Sequence, residues 1–213
     1  MFGYFARIAS FSVPLWVLLP GGTALGQTVN ARRGDTQADK ESALLHRRIV
    51  LDGIERYDEA RQTWEAFSPR PAKVYVVNLW TTYCEPCKKE FPFFQRLVRG
   101  WQNRTEVQFL FVADPPQETS EDDVAQYWKK NAAFLPQTAP LRSTLPSLRR
   151  AIENDSNPIT LILDENWVVR EAFVGAIETR PIGRSIERLL QVVAGSGGAK
   201  KMKQLSLGTR RHR

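Results

Sequence analysis

Cysteine, histidine and methionine are scarce in this sequence, with two residues of each type among 213. Two cysteines are too few for a disulfide scaffold or a four-cysteine zinc site. The remaining soft or imidazole ligands are His46, His212, Met1 and Met202, and all except His46 lie near the ends of the chain. We therefore predict no metal site, and no cofactor other than the two cysteines acting as a redox-active disulfide.

Acidic residues are missing from both ends of the chain, although the formal net charge is +7. The first 26 residues carry Arg7 as their only charge, and residues 195–213 carry six cations and no acid. The middle of the chain is therefore close to neutral. Because the basicity lies in the ends and not on a folded face, we predict no nucleic-acid partner.

A long apolar run is also missing. The stretch Ile8–Leu19 is shorter than the ~20 residues of a membrane-spanning helix and contains Pro14. Arg7 precedes this stretch and Ala24-Leu25-Gly26 follows it, which is typical of a secretory signal peptide and its cleavage site. We predict a signal peptide at residues 1–26 and a periplasmic protein, with an uncleaved membrane anchor as the alternative.

Composition divides the rest of the chain into three parts. Residues 27–45 are mainly polar and small, which predicts a flexible linker. Residues 46–194 carry the apolar patterns of one folded domain. A last helix begins near Pro181 and is expected to stop at Gly195, which leaves residues 195–213 as a disordered basic tail.

Apolar patterns predict the elements of the domain. A helix is expected from Asp58 to Phe67, with Asp58 as its cap. Buried strands are expected at 74–80, 107–113 and 159–163, and the last of these is expected to form a hairpin with residues 167–173. Helices are also expected at 119–131 and 145–153.

The two cysteines, Cys84 and Cys87, lie between the first strand and a helical apolar stripe that continues through Phe91 and Phe94. At a helix N-terminus, the backbone N–H groups and the dipole favour a thiolate, so we predict that Cys84 attacks. Cys87 lies one turn further in and suits a resolving thiol. A structural disulfide or inert thiols are the alternatives.

Glu90 lies three residues after Cys87 on the same apolar stripe. A carboxyl group at this position is expected to lose water, and its pKa is expected to rise. Alternatively, the side chain points outward and pairs with Lys89 or Arg96. Periodicity does not decide between these two orientations.

The stretch Trp80-Thr81-Thr82-Tyr83-Cys84-Glu85-Pro86-Cys87-Lys88-Lys89-Glu90-Phe91-Pro92 resembles the active-site stretch of the thioredoxin superfamily. It is most similar to the TlpA/ResA-like thiol-disulfide oxidoreductases, whose pattern is Asn-Phe-Trp-Ala-x-Trp-Cys-x-Pro-Cys-x-x-Glu-x-Pro. Downstream, Asn157-Pro158-Ile159-Thr160 resembles the cis-proline loop of that family. The resemblance covers about residues 46–194.

The resemblance implies an α/β thioredoxin-like fold, in which helices flank a central mixed sheet of parallel strands and a C-terminal antiparallel hairpin. It implies that Pro158 is cis and that Glu90 governs thiol protonation. It also implies substrate contacts through Trp80, Tyr83, Glu85, Pro86, Asn157 and Pro158. The chain departs from the pattern at Tyr83, where tryptophan is usual. Asn78 stands where thioredoxins proper carry a buried aspartate.

For function, the resemblance implies a monomer that reduces disulfides in protein substrates. A role in cytochrome c maturation is implied as an example, with a membrane thiol carrier as the electron donor. Reduction potential decides the direction of electron flow, and the sequence does not report it. A disulfide-introducing oxidant of the same fold is therefore one alternative, and a non-catalytic peptide-binding module is another.

Overall fold

The computed structural model describes residues 36–114, 121–134, 139–144, 156–177 and 179–208, with a few single positions between them. In the last helix, the side chains are described from Pro181 to Gly195. The strands are β1 (Ile54–Asp58), β2 (Thr63–Ala66), β3 (Val74–Trp80), β4 (Val107–Ala113), β5 (Leu141–Ser143), β6 (Ile159–Asp164) and β7 (Val169–Val174). The helices are α1 (Gln37–Leu44), α2 (Glu85–Trp101), α3 (Glu121–Asn131) and α4 (Thr179–Gly208).

The strands form one mixed sheet in the order β2-β1-β5-β4-β3-β6-β7. Strand β3 lies inside the sheet, pairing parallel with β4 and antiparallel with β6. Every residue of β3 is buried, as its continuous apolar sequence predicts for a strand covered on both faces. Strands β6 and β7 form the predicted antiparallel hairpin at one edge. The predicted α/β fold with a central mixed sheet is confirmed.

Alternate residues of β3 belong to two hydrophobic clusters on opposite faces of the sheet. Tyr75, Val77 and Leu79 join a cluster that includes Leu44 of α1. Val74, Val76 and Trp80 join a second cluster, which contains both cysteines and residues of α2, α3 and α4. Since Asn78 is an even-numbered residue, its side chain lies on the face of the second cluster, toward α2.

The helix predicted at Asp58–Phe67 is wrong, because these residues belong to the antiparallel hairpin of β1 and β2. Asp58 does bind backbone N–H groups, as a cap would, but it binds those of Ala60 and Arg61 in the hairpin turn. Tyr57 and Trp64 face each other across the hairpin, with ring centroids 5.2 Å apart. Cross-strand aromatic packing therefore outweighs the local capping signal.

Part of the predicted linker at residues 27–45 is helical. The Thr36 side chain accepts a hydrogen bond from the Asp39 N–H, and the Asp39 carboxylate accepts one from the Thr36 N–H, which is a capping box at the start of α1. Leu44 is buried in the core. The Glu41 side chain accepts a hydrogen bond from the Val174 N–H of β7. The folded domain therefore includes α1.

The predicted helix stop at Gly195 is also wrong, since α4 continues to Gly208. A helical glycine costs only about 1 kcal/mol relative to alanine, and the residues after 198 are mostly good helix formers. The predicted disordered tail is thus helical as far as Gly208. Within the described residues, no helix has the length and apolar composition needed to cross a membrane. The predicted signal peptide, most of the 145–153 helix and residues 209–213 lie outside the described residues.

Candidate active site

Cys84 and Cys87 form a disulfide at the junction of β3 and α2, with Cα atoms 5.3 Å apart. Cys84 is the N-cap of α2, and its Sγ accepts a hydrogen bond of 3.2 Å from the Cys87 N–H. The Cys84 N–H in turn donates to the Thr81 carbonyl oxygen at 3.1 Å. Cys84 keeps 7% of its surface exposed, whereas Cys87 is completely buried. Cys84 is therefore the sulfur that a second molecule reaches first.

The surface next to Cys84 is partly aromatic and partly charged. Tyr83 is 55% exposed, and Pro86 is exposed in the first turn of α2. Glu85 forms an ion pair of 2.6 Å with Lys88, and the hydrogen bond from Lys88 lowers the pKa of Glu85. These three predicted contact residues, Tyr83, Glu85 and Pro86, are thus available to a substrate.

Trp80 has no exposed surface, unlike the other predicted contact residues of the loop. Its ring packs edge-on against Phe91 at 5.2 Å and lies 5.7 Å from the ring of Tyr127. Because Trp80 is buried in the same hydrophobic cluster as both cysteines, we infer that it supports the cysteine loop and does not contact substrate.

The Asn157–Pro158 peptide bond is cis, as predicted. Strand β6 begins directly after it, with Ile159 opposite Leu79 near the end of β3. The cis-proline therefore lies at the same end of the strands as the cysteine loop, beside the C-terminal end of β3. The carbonyl oxygen of Pro158 accepts a hydrogen bond from the Gly175 N–H at 2.8 Å, which holds this loop to the end of β7.

Glu90 points inward, and only 2% of the residue is exposed. Burial raises the pKa of its carboxyl group from the ordinary value of 4.5 to about 7, although two hydrogen bonds oppose the rise. The Asn78 side-chain N–H donates to Oε1 at 2.9 Å, and the Ile177 N–H donates to Oε2 at 3.3 Å. The expectation of a buried carboxyl with a raised pKa is confirmed. The outward orientation toward Lys89 or Arg96 is wrong.

Sequence reasoning missed the partners of Glu90. The sequence identifies Asn78 only as a replacement for aspartate, and it does not connect Ile177 with the carboxyl. A signal for Asn78 exists, because it is a polar residue within an otherwise apolar strand; the same is true of Thr160, which accepts a hydrogen bond from the Asn78 amide. The Ile177 N–H is a backbone donor outside the strands, so the type of side chain at this position gives no signal for it.

No group of three or more histidine, cysteine, aspartate or glutamate side chains within the described part of the chain is arranged to hold a metal ion. The arrangement described above allows the two cysteines to alternate between a dithiol and a disulfide. A buried carboxyl that titrates near neutral pH lies one helical turn from the inner cysteine.

No protein-family model matches the chain. Among curated proteins, the chain is similar to the thioredoxin-like protein YneN of Bacillus subtilis, with 25% identity over 115 residues, which are 54% of this chain and 64% of that protein. It is also similar to the thiol:disulfide interchange protein DsbE of Escherichia coli, with 28% identity over 86 residues, which are 40% of this chain and 46% of that protein. The chain thus spans less than two thirds of either relative.

Many solved structures have a similar fold. The pneumococcal exposed lipoprotein thioredoxin Etrx1 from Streptococcus pneumoniae gives a TM-score of 0.51 at 15% identity, covering 62% of this chain and 97% of its own. A structure described as thiol:disulfide interchange protein DsbE from Chlorobium tepidum gives a TM-score of 0.50 at 14% identity, covering 70% of this chain and 97% of its own. At these identities, the likeness bears on the fold, and it confirms the expected one.

Proposed function

We propose that the chain is a thiol-disulfide oxidoreductase of the thioredoxin superfamily that acts on protein disulfides through Cys84 and Cys87. One observation carries this proposal. The two cysteines form a disulfide at the N-terminus of α2, at the same end of the strands as the cis-proline. Cys87 has no exposed surface, whereas 7% of Cys84 is exposed. This difference assigns a separate step to each cysteine.

In the reducing direction, the Cys84 thiolate attacks one sulfur of a substrate disulfide. A mixed disulfide forms and the first substrate thiolate leaves. The Cys87 thiolate then attacks the Cys84 sulfur, so that the Cys84–Cys87 disulfide forms and the second substrate thiolate leaves. Two electrons pass from the protein to the substrate, and an external dithiol must restore them. In the disulfide form the Cys87 N–H donates to the Cys84 sulfur, and in the reduced form a donor at this position would favour the thiolate that starts the sequence.

The buried thiol of Cys87 must lose its proton before it can attack. Glu90 lies one turn further along α2 on the same buried face, and its pKa of about 7 suits a group that exchanges protons near neutral pH. We assign to Glu90 the transfer of protons to and from Cys87. Tyr83, Glu85 and Pro86, together with the half-buried Asn157, form the proposed contact surface for an extended substrate segment. The side chain of Pro158 is buried, so its proposed contribution is the backbone of the cis-proline loop.

Trapping of mixed disulfides tests the proposal. A Cys87→Ser variant cannot resolve the mixed disulfide, so it should accumulate partner proteins bound through Cys84. The matched control is Cys84→Ser, which keeps one thiol but lacks the attacking one, and it should trap few partners. If Cys87→Ser and Cys84→Ser trap equally little, the exchange function is refuted and the peptide-binding alternative is favoured.

The finer assignment is that the protein works as an exported reductant, for example on cytochrome c precursors, with electrons from a membrane thiol carrier. The name of the relative DsbE, a thiol:disulfide interchange protein, supports exchange and leaves the direction open. Equilibrating the Cys84–Cys87 pair with glutathione measures the reduction potential. A strongly reducing potential supports the reductant, and an oxidising potential favours the disulfide-introducing alternative. Fractionation of cells that produce the full chain tests the proposed periplasmic location.

A further inference from the structure

The side-chain amide of Asn78 joins two parts of the site that are far apart in sequence. Its nitrogen donates one hydrogen bond to Glu90 Oε1 at 2.9 Å and another to Thr160 Oγ1 at 3.0 Å. Asn78 and Thr160 are direct partners in the ladder between β3 and β6. Thr160 is the second residue after the cis-proline. The amide therefore connects the carboxyl on the cysteine helix with the strand that follows the Pro158 loop.

All three side chains of this network are buried. Asn78 is fully buried, Thr160 is 1% exposed and Glu90 is 2% exposed. In the described structure, the side-chain oxygen Oδ1 of Asn78 has no hydrogen-bond partner. A buried amide oxygen without a partner destabilises a protein. Leucine has a similar volume and would avoid this unsatisfied oxygen. Asparagine at this position thus contributes through the two hydrogen bonds that its amide nitrogen donates to Glu90 and Thr160.

The two hydrogen bonds that the Asn78 amide donates differ in strength. A hydrogen bond to an ionised carboxylate is stronger than one between neutral groups, so the amide favours the charged form of Glu90. The Ile177 N–H holds the other oxygen from the segment between β7 and α4. In the described part of the chain, no charged side chain contributes to the shifted pKa of Glu90. These two neutral donors are therefore the groups that oppose its desolvation.

We propose that Asn78 is a positioning residue that holds the Glu90 carboxyl in a fixed orientation on the cysteine helix and connects it to the strand behind the cis-proline loop. Thr160 completes this connection by accepting the second N–H of the amide. The proposal rests on the proposed function only for the consequence of this positioning, since the contacts themselves do not depend on activity. If exchange occurs as proposed, the amide helps to set the pH at which Glu90 can accept a proton.

The test is a carboxyl titration of the oxidised full chain, in which no thiol can titrate. Glutamate labelled with ¹³C at the carboxyl carbon gives one signal per residue, and the signal of Glu90 is the one that disappears in Glu90→Gln. We expect the wild-type midpoint near 7. In Asn78→Leu, the loss of a hydrogen bond to a charged group should raise the midpoint by about one pH unit.

Two further variants separate positioning from general destabilisation. Ile162→Val shortens a buried side chain on the same face of β6 as Thr160 and removes no hydrogen bond, so the Glu90 midpoint should not move. Thr160→Val removes the acceptor of the second N–H at nearly constant volume. It should raise the midpoint less than Asn78→Leu does, and it remains informative if Asn78→Leu fails to fold.

An unchanged midpoint in folded Asn78→Leu would overturn the proposal, as would an equal shift in Ile162→Val. If Asn78→Leu does not fold, an unchanged midpoint in Thr160→Val would overturn it. Because the titration uses the oxidised protein, it gives its result even if trapping through Cys84 fails. Failure of the exchange function and failure of the positioning role are thereby distinguishable.

Discussion

Replacing Glu90 with glutamine should change how the stability of the protein depends on pH. The carboxyl is buried and its pKa rises from 4.5 to about 7 on folding. Between these two values, the unfolded chain releases the proton of Glu90 while the folded chain keeps it. Stability therefore falls as pH rises through this window, because the folded state binds more protons than the unfolded state. Glutamine cannot ionise, so the variant should lack this contribution.

The size of the effect follows from the pKa shift. A shift of one pKa unit corresponds to 1.36 kcal/mol, so the shift from 4.5 to about 7 corresponds to about 3 kcal/mol. This contribution is fully present below pH 4.5 and is lost above pH 7. Glutamine also changes the hydrogen bonds of the site, since its amide nitrogen cannot accept from the Ile177 N–H. That cost does not depend on pH, so the change of stability with pH isolates the carboxyl.

Urea unfolding of the oxidised full chain, followed by tryptophan fluorescence between pH 4.5 and pH 8.5, measures this dependence. We expect the wild type to lose about 3 kcal/mol more than Glu90→Gln across the window. Other titrating groups are the same in both proteins and cancel in the comparison. Parallel pH profiles for the two proteins would refute the assignment of a buried, protonated Glu90.

Three other substitutions test the surroundings of the site. Glu55→Ala removes an ion-pair partner of the buried Arg142 guanidinium and should lower the free energy of unfolding by about 1–2 kcal/mol in urea, whereas no loss would contradict a structural pair. Phe94→Ala leaves a cavity under α2 and should cost about 3–5 kcal/mol in the same assay. Tyr83→Ala changes an exposed residue, so it should slow exchange with protein substrates but leave thermal stability and exchange with a small disulfide unchanged.

The parts of the fold that the sequence predicts well are those with strong local signals. Strand β3 is a continuous apolar run, α2 has a regular apolar stripe, and Asn157-Pro158 precedes another apolar run. Each signal depends on residues that are near one another in the chain, so periodicity is enough to locate the element. The inward orientation of Cys87 follows from the same stripe. The disulfide and the cis bond then have the places expected from the resemblance.

The parts of the fold that the sequence does not predict depend on contacts between distant segments. Asp58 carries a capping signal, but pairing of β1 with both β2 and β5 makes its segment a strand. The α1 helix has a capping box of its own, yet it is short, and its packing against β7 is a tertiary contact that composition does not reveal. In the same way, periodicity left the orientation of Glu90 open. Its partners Asn78 and Ile177 come from two other segments of the chain.

The asparagine at position 78 suits the buried glutamate at position 90 because its side chain is neutral and donates hydrogen bonds. An aspartate at 78 would place a second carboxyl within hydrogen-bonding distance of Glu90, and two buried carboxyls so close titrate as a coupled pair with separated pKa values. The amide keeps nearly the same shape but supplies donors and adds no charge. The buried acid of this site is therefore carried by the helix and not by the strand. On the helix Glu90 lies one turn from Cys87, so α2 sets the spacing of the two residues along the chain, while the hydrogen bond from Asn78 fixes the orientation of the carboxyl.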